Sequence, residues 1–174
     1  YVDRDSTQPT YDELVAEIDK LNNTYITYSN NTKVALIDFM DSCAIVDNKI
    51  QFDESTIEQL SKDIENLIKE QLTDYNTVGN PLQFTTNSGE TIEITEGTWG
   101  NIFDSKAETE YILSLFRDFK NEENRTPVMS QEYGNEIPDT YVEVSIDNQH
   151  VWWYKDGKMV MDSGCVTGHK GKMD

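Results

Sequence analysis

Apolar residues recur at helical spacing in three segments of the chain. Each segment opens with a Ser or Thr that is followed three residues later by Glu, the pattern of a capping box. These starts are Thr10–Glu13, Ser55–Glu58 and Ser105–Glu108. The pattern predicts three helices, and we expect each apolar stripe to pack in a globular core, because each is about one helix face wide. The stripes are Leu14, Ile18, Leu21 and Tyr25; then Ile57, Leu60, Ile64, Leu67 and Ile68; then Ile112, Leu115, Phe116 and Phe119.

Short strands are predicted between these helices. Residues 45–46 and 50–52 flank the turn residues Asp47, Asn48 and Lys49, and residues 82–86 and 91–95 flank a turn in which Gly89 can supply a positive φ angle. Residues 32–40 fit a strand or a short helix, and the short helix is favoured. Helices and hairpins that mix without strand–helix–strand alternation indicate an α+β fold.

The last third of the chain alternates with the period of a strand. Val142, Val144 and Ile146 are followed by a turn at 147–148, a second strand at 149–154, an Asp-Gly hairpin signal at 155–158 and a third strand at 159–161. The first strand therefore has one apolar face, and we expect the first domain, a second chain or later residues to cover it.

The segment Gln131–Pro138 is polar, contains Gly134, and repeats at neither strand nor helix spacing, so it is predicted to be a linker. A boundary near Pro138 divides the chain into a helical segment at 1–31, an α+β domain with its linker at 32–138, and the beginning of an all-β domain at 139–174.

The composition is strongly acidic, which limits the classes of partner. Lys and Arg number 14 against 33 Asp and Glu, giving a net charge of −19. Nucleic acids and anionic membrane surfaces would be repelled. No membrane span or signal segment is visible. Because the first residue is Tyr1 rather than Met, we expect any anchor or signal to lie upstream of it.

The order Tyr-Val-Glu-Val, Gln-His-Val-Trp-Trp-Tyr, Lys-Asp-Gly-Lys and Val-Thr-Gly at 141–168 resembles the opening strands of the L,D-transpeptidase (YkuD/ErfK-type) catalytic domain. Residues 30–130 resemble the peptidoglycan-binding domain that precedes it, through Phe84-Thr85-Thr86, Gly97-Thr98-Trp99-Gly100 and Arg125-Thr126-Pro127-Val128. The resemblance implies a bacterial enzyme that forms 3→3 peptidoglycan cross-links with a cysteine nucleophile and no cofactor. It also implies that the chain stops before the Ser/Thr-His-Gly-Cys segment that carries this cysteine.

A cysteine nucleophile needs a base within hydrogen-bond reach. The sequence-local candidate is Cys165 with His169, but four residues of strand and turn would separate these side chains, so Cys165 is predicted to be a half-buried strand residue. A metal site on the same pair is a far weaker hypothesis. His150 is predicted to be a structural strand residue and Cys43 a small buried one. No catalytic, cofactor or metal residue is assigned, and the fragment itself is expected to be inactive.

Two tryptophans are the candidate substrate-binding residues. Trp99 lies between Gly97 and Gly100 on a turn that a ligand can approach, and Trp152 belongs to the aromatic run 152–154, where core packing is the favoured alternative. Alternation predicts Trp152 and Tyr154 on one sheet face and Trp153 on the other. The resemblance implies peptidoglycan as partner and the outer face of a bacterial cell, with a membrane anchor outside this chain. The alternative function is a non-catalytic wall-binding or surface scaffold module.

Overall fold

The computed structural model describes residues 10–168, and the chain divides into two compact units. Unit 1 contains residues 10–78 and 101–133, and unit 2 contains residues 79–100 and 134–168. The units group residues 79–100 with the C-terminal strands, whereas the predicted domain boundaries at 31 and 138 stay predictions. Helices and small sheets occur together, so the predicted α+β class is confirmed. Within residues 10–168, no helix is long and apolar enough to cross a bilayer.

Unit 1 contains the three predicted helices and three small groups of strands. The elements are α1 (Tyr11–Asn22), β1 (Tyr25–Tyr28), β2 (Lys33–Ala35), β3 (Ala44–Val46), β4 (Lys49–Gln51), α2 (Glu54–Gln71), β7 (Asn101–Phe103), α3 (Ser105–Arg117), β8 (Glu122–Arg125) and β9 (Met129–Glu132), with 3₁₀ turns at Leu36–Ser42 and Thr73–Tyr75. A three-stranded sheet has the order β2-β1-β8, in which β1 is antiparallel to β2 and parallel to β8, and β3–β4 and β7–β9 are antiparallel pairs.

Only the first of the three predicted helix caps is correct. Thr10 and Glu13 form the predicted capping box of α1. The caps of α2 and α3 are Asp53 and Asp104 instead of Ser55 and Ser105, since these aspartates accept bonds from the free amides of the first turn. An aspartate carboxylate also interacts favourably with the positive end of the helix dipole, so a preceding Asp displaces the Ser from the cap.

The core of unit 1 forms where α2 and α3 pack together with β1. Leu60, Ile64 and Ile68 of α2 and Ile112 and Phe116 of α3 are fully buried, as their spacing predicts. Removing such a side chain from water contributes roughly 1.5–3 kcal/mol each. This burial, rather than local helix propensity, holds the two helices in place.

The expected core packing of α1 is wrong. Leu14 and Ile18 are exposed, Ile18 to 54%, and no residue of this helix is buried. Of the stripe residues that lie in α1, only Leu21 packs partly against the core that the described residues form. The apolar period of this segment correctly predicts a helix, but periodicity does not indicate whether another element covers the apolar stripe.

Two other segments differ from their predictions. Residues 32–40 are a strand and a helix in succession, since β2 is followed by the 3₁₀ turn at Leu36–Ser42. The predicted linker at 131–138 begins inside β9, whose last two residues are Gln131 and Glu132. Asn101 and Ile102 pair with these two residues, so the prediction of a linker is wrong at residues 131–132, which lie in a polar strand.

Unit 2 consists of a hairpin and a three-stranded antiparallel sheet. The strands are β5 (Leu82–Thr85), β6 (Thr91–Ile94), β10 (Tyr141–Ser145), β11 (His150–Lys155) and β12 (Lys158–Gly164). Strands β5 and β6 form the hairpin, and the sheet has the order β10-β11-β12. Positive φ angles at Gly89, Asp156 and Gly157 form the tight turns that the sequence predicted.

The apolar face of the sheet in unit 2 is open. Val142, Val144 and Ile146 are 59%, 52% and 52% exposed, and Trp153, which pairs with Val142, is 40% exposed. Within unit 2, no described element covers these side chains, and cover by the first domain, a second chain or later residues stays a prediction. We call these four side chains the open face.

Candidate functional site

The β5–β6 hairpin has one apolar side. Leu82 pairs with Ile94 and Phe84 pairs with Ile92, so all four side chains lie on the same face of the hairpin. Three of the four are half-buried, whereas Ile92 is exposed. The hairpin thus carries an apolar surface that needs a second wall to become a binding site.

Strands β10 and β11 hold the hairpin through its turn. The Asn87 amide nitrogen donates to Glu143 Oε1 at 3.0 Å, and Asn87 Nδ2 donates to Glu143 Oε2 at 2.6 Å. The Tyr154 hydroxyl donates to Asn87 Oδ1 at 2.7 Å. One turn residue therefore bonds to both strands, and bonds to a charged carboxylate are stronger than neutral ones.

Aromatic rings continue this contact along the same face of the sheet. The Tyr141 and Tyr154 rings stack with centroids 4.7 Å apart, and Phe84 meets the Tyr141 ring edge-on at 5.3 Å. Burial raises the pKa of the Tyr141 hydroxyl, with the neighbouring Tyr154 and Glu143 acting in the same direction. The hairpin thus packs against the face opposite to the open face.

A cavity of about 260 Å³ lies within unit 2, beside this contact. Its walls come from the hairpin, from the loop that follows the hairpin, and from the segment that leads into β10. Glu96 is the one charged residue that lines the cavity in the described part of the chain. Most of the lining is apolar or aromatic, with Leu82, Phe84, Ile94, Trp99, Ile137 and Tyr141 as the main side chains.

Trp99, the first candidate binding residue, lines this cavity. Its ring is half-buried, and Nε1 donates to the Glu136 carbonyl at 3.0 Å. Gly97 and Gly100 flank it with φ angles of 130° and 135°, which only glycine adopts easily. The two glycines therefore shape the turn that carries the indole. Its contact with a ligand stays a prediction.

Trp152, the second candidate, lies elsewhere on the sheet. Its ring stacks on His150 with centroids 4.5 Å apart, and His150 Nε2 contacts the Asp162 carboxylate. Trp152 shares a sheet face with Tyr154, and Trp153 points to the other face, as alternation predicts. The cavity lining contains Trp99 but not Trp152, so the two candidates do not form one site among the described residues.

The two cysteines are free thiols in different surroundings. Cys165 is half-buried as predicted, but it follows the end of β12 instead of lying in a strand, and its amide donates to the Gln149 carbonyl at 2.8 Å. His169, the base considered and rejected for Cys165, lies outside the described residues. Cys43 donates to the Phe39 carbonyl, and burial raises the pKa of its thiol. A raised pKa disfavours the thiolate, so Cys43 is a poor nucleophile.

The Arg-Thr-Pro-Val motif of unit 1 has a structural explanation. Glu108 is fully buried, and its carboxylate accepts bonds from Arg125 Nε at 3.0 Å, the Tyr28 hydroxyl at 2.8 Å and the Val128 amide at 2.7 Å. The Arg125 guanidinium also lies 3.6 Å from the centre of the Tyr111 ring. A buried carboxylate is tolerated only when its bonds are satisfied, and two residues of the motif satisfy it.

Sequence reasoning missed Asn87, Glu96 and Tyr141 as parts of the candidate site. Asn87 and Glu143 are 56 positions apart, and no local period links a turn to a distant strand. The one available signal was the alternation that places Tyr141 and Glu143 opposite Val142 and Val144. Among the described residues, no group of three or more His, Cys, Asp and Glu side chains could hold a metal ion.

Two solved structures are similar to this chain. A mutant of the L,D-transpeptidase of Enterococcus faecium is 27% identical and superimposes with a TM-score of 0.48 over 87% of this chain and 60% of the other. The Ldtfm–avibactam carbamoyl enzyme is 26% identical, with a TM-score of 0.45 over 89% of this chain and 60% of the other. The chain thus spans about 60% of the length of each. No family model and no curated protein matches it.

Proposed function

We propose that this chain is the substrate-positioning front portion of a bacterial L,D-transpeptidase. Residues 32–138 would form its peptidoglycan-binding-type domain, and residues 139–174 would begin its catalytic domain. The whole protein would form 3→3 peptidoglycan cross-links at the outer face of the cell, with a membrane anchor in another part of it. Residues 1–174 would hold peptidoglycan and carry out no acyl transfer.

One observation carries this proposal. The cavity that contains Trp99 is built from the hairpin with the Phe84-Thr85-Thr86 motif and from the approach to β10, where the resemblance to the catalytic domain begins. The two stretches that resemble different parts of one enzyme therefore share a single cavity. A cavity at this point could hold a wall peptide or sugar beside the strands of the catalytic domain.

Trp99 and the apolar lining suit such a ligand. A half-buried indole offers a flat face on which a sugar ring or a peptide stem can stack. The acidic composition argues against anionic polymers as the ligand, because they would meet a net charge of −19. Peptidoglycan stems carry amino groups, which this charge attracts.

Sedimentation with insoluble sacculi tests the proposal. The chain of residues 1–174 should sediment with the wall, and Trp99→Ala should weaken binding by about fivefold, since one aromatic contact contributes roughly 1 kcal/mol. The matched control is Trp153→Ala, which removes a tryptophan from the open face and should leave binding unchanged. Amide NMR spectra establish that both variants are folded.

A wild-type chain that stays in the supernatant would contradict the proposal, as would a folded Trp99→Ala variant that sediments as well as the wild type. Mass spectrometry after treatment with a carbapenem tests the second half of the proposal, since no covalent adduct is expected. Acylation of Cys165 would make that residue a nucleophile and would contradict its assignment as a structural residue.

The alternative is a non-catalytic wall-binding module. It is favoured by Cys43, whose half-buried thiol has a raised pKa and is therefore a poor nucleophile. Both functions require binding to the sacculi, so sedimentation does not separate them. Transpeptidase activity of the full-length protein on purified muropeptides does separate them, because the module would form no cross-link.

A further inference from the structure

The cavity of unit 2 combines three chemical features. Phe84, Trp99 and Tyr141 are its aromatic lining residues, aliphatic residues form much of the remaining wall, and Glu96 is the one charged lining residue in the described part of the chain. Glu96 is exposed, so its charge lies toward solvent. A ligand that satisfies all three features must be apolar along its stem and positively charged at its end.

We propose that this cavity binds a primary alkylammonium group of the kind found at the end of a lysine side chain. The proposal rests on the proposed function, since it names the part of the wall polymer that would enter the site. Methylene groups would lie along the aliphatic wall, and the ammonium would reach Glu96.

Aromatic rings add to this preference. The faces of tryptophan, tyrosine and phenylalanine attract cations, and the attraction grows where water is partly excluded. Trp99, Phe84 and Tyr141 are each half-buried, so water is partly excluded from each residue. A carboxylate or phosphate ligand would instead meet Glu96 and the acidic surface as repulsive charges.

The size of the cavity is consistent with one side chain. A volume of 260 Å³ corresponds to about nine water molecules at roughly 30 Å³ each. A pentylamine-sized group fits in that space, whereas a whole disaccharide peptide would have to remain largely outside. The cavity would thus select one amine of a larger polymer.

Titration of the full chain with two small probes tests the proposal. Nα-acetyl-lysine amide carries the ammonium, and Nα-acetyl-norleucine amide has a similar stem without it. The Trp99 indole resonance reports occupancy of the cavity. We expect the lysine probe to bind about fivefold more tightly than the norleucine probe, from the combined contacts with the carboxylate and the aromatic rings.

Glu96→Gln should abolish that difference, because it removes the charge and keeps the shape of the side chain. Glu90→Gln is the matched control, since it makes the same change in the turn of the same hairpin and outside the cavity lining. Equal affinity for the two probes, no detectable binding of either, or an undiminished preference in Glu96→Gln would each overturn the proposal.

Sacculi with acetylated amino groups distinguish the wall from other sources of amines. If the wall supplies the ligand, acetylation should reduce sedimentation of the wild-type chain about as much as Glu96→Gln does. Undiminished sedimentation after acetylation would overturn the alkylammonium proposal and leave the proposed function standing. Binding of the lysine probe without any binding to sacculi would support the alkylammonium site and contradict the proposed function.

Discussion

Each of the two units of this protein is stabilised internally by a different kind of interaction. Every fully buried apolar side chain in residues 10–168 lies in unit 1, around Ile64, Ile112 and Phe116. Unit 2 relies on ladder hydrogen bonds, the Asn87–Glu143 contact and stacked rings such as Tyr141 on Tyr154. The apolar pattern is equally regular in both units, so regularity identifies the apolar face of an element but not its burial. We expect the stability of unit 1 to come mainly from its core.

The largest effect on stability is expected from a substitution in the core of unit 1. Ile64→Ala should lower the free energy of unfolding of unit 1 by about 2–5 kcal/mol, because it leaves a cavity among fully buried side chains. Val144→Ala in the open face should cost less than about 1 kcal/mol, since this side chain is half exposed. Hydrogen exchange measured separately for each unit provides both values. Similar losses for the two variants would show that the open face is covered in solution.

A second prediction concerns high pH and the buried network. Burial, followed by the charge of Glu108, raises the pKa of the Tyr28 hydroxyl far above its ordinary value of about 10. Above pH 10 the unfolded chain loses this proton while the folded chain keeps it, so the stabilisation present below that pH declines as the pH rises. The decline should approach about 1.4 kcal/mol per pH unit.

Tyr28→Phe removes this contribution. Its free energy of unfolding should fall less steeply than that of the wild type between pH 10 and 11, although it starts lower at neutral pH because the bond to Glu108 is lost. Denaturant titrations at a series of pH values measure the two slopes. Parallel profiles would mean that the Tyr28 hydroxyl ionises in the folded protein.

The third prediction concerns the hairpin of unit 2. Asn87→Ala removes the bonds from the side chain to Glu143 and Tyr154, and should destabilise the packing of the hairpin by about 1–2 kcal/mol. Amides of β5 and β6 should then exchange faster, with α2 unaffected. Gln83→Ala, which removes a bond to Glu93 within the hairpin itself, is the control and should have a smaller effect. Unchanged amide exchange in Asn87→Ala would mean that the aromatic rings, and not the Asn87 side-chain bonds, hold the hairpin against the sheet.

Local signals in the sequence were sufficient for most elements of the fold. Periodicity located α2, α3 and the turns at Gly89 and Gly157, because these depend on residues close together in the chain. Helix ends were harder to predict, since Asp53 and Ser55 can both cap a helix and the structure has Asp53 at the cap of α2. The polar strand β9 was missed because it has no apolar alternation.

Only the part of the candidate site that depends on neighbouring residues could be predicted from the sequence. Trp99 was recognisable because two glycines flank it, and this information is local. The wall opposite Trp99 includes Leu82 and Tyr141, which the fold brings together from positions far apart in the sequence. No period or spacing encodes such a contact, so the cavity could be found only from the structure.

The open face of unit 2 also makes the colloidal behaviour of the chain depend on its charge. Val142, Val144, Ile146 and Trp153 form a contiguous apolar surface of the kind that promotes association between molecules. A net charge of −19 at neutral pH opposes such encounters, and this repulsion weakens with added salt or as the pH approaches 4.3. The net negative charge of the protein thus opposes an association that the apolar residues of the open face favour.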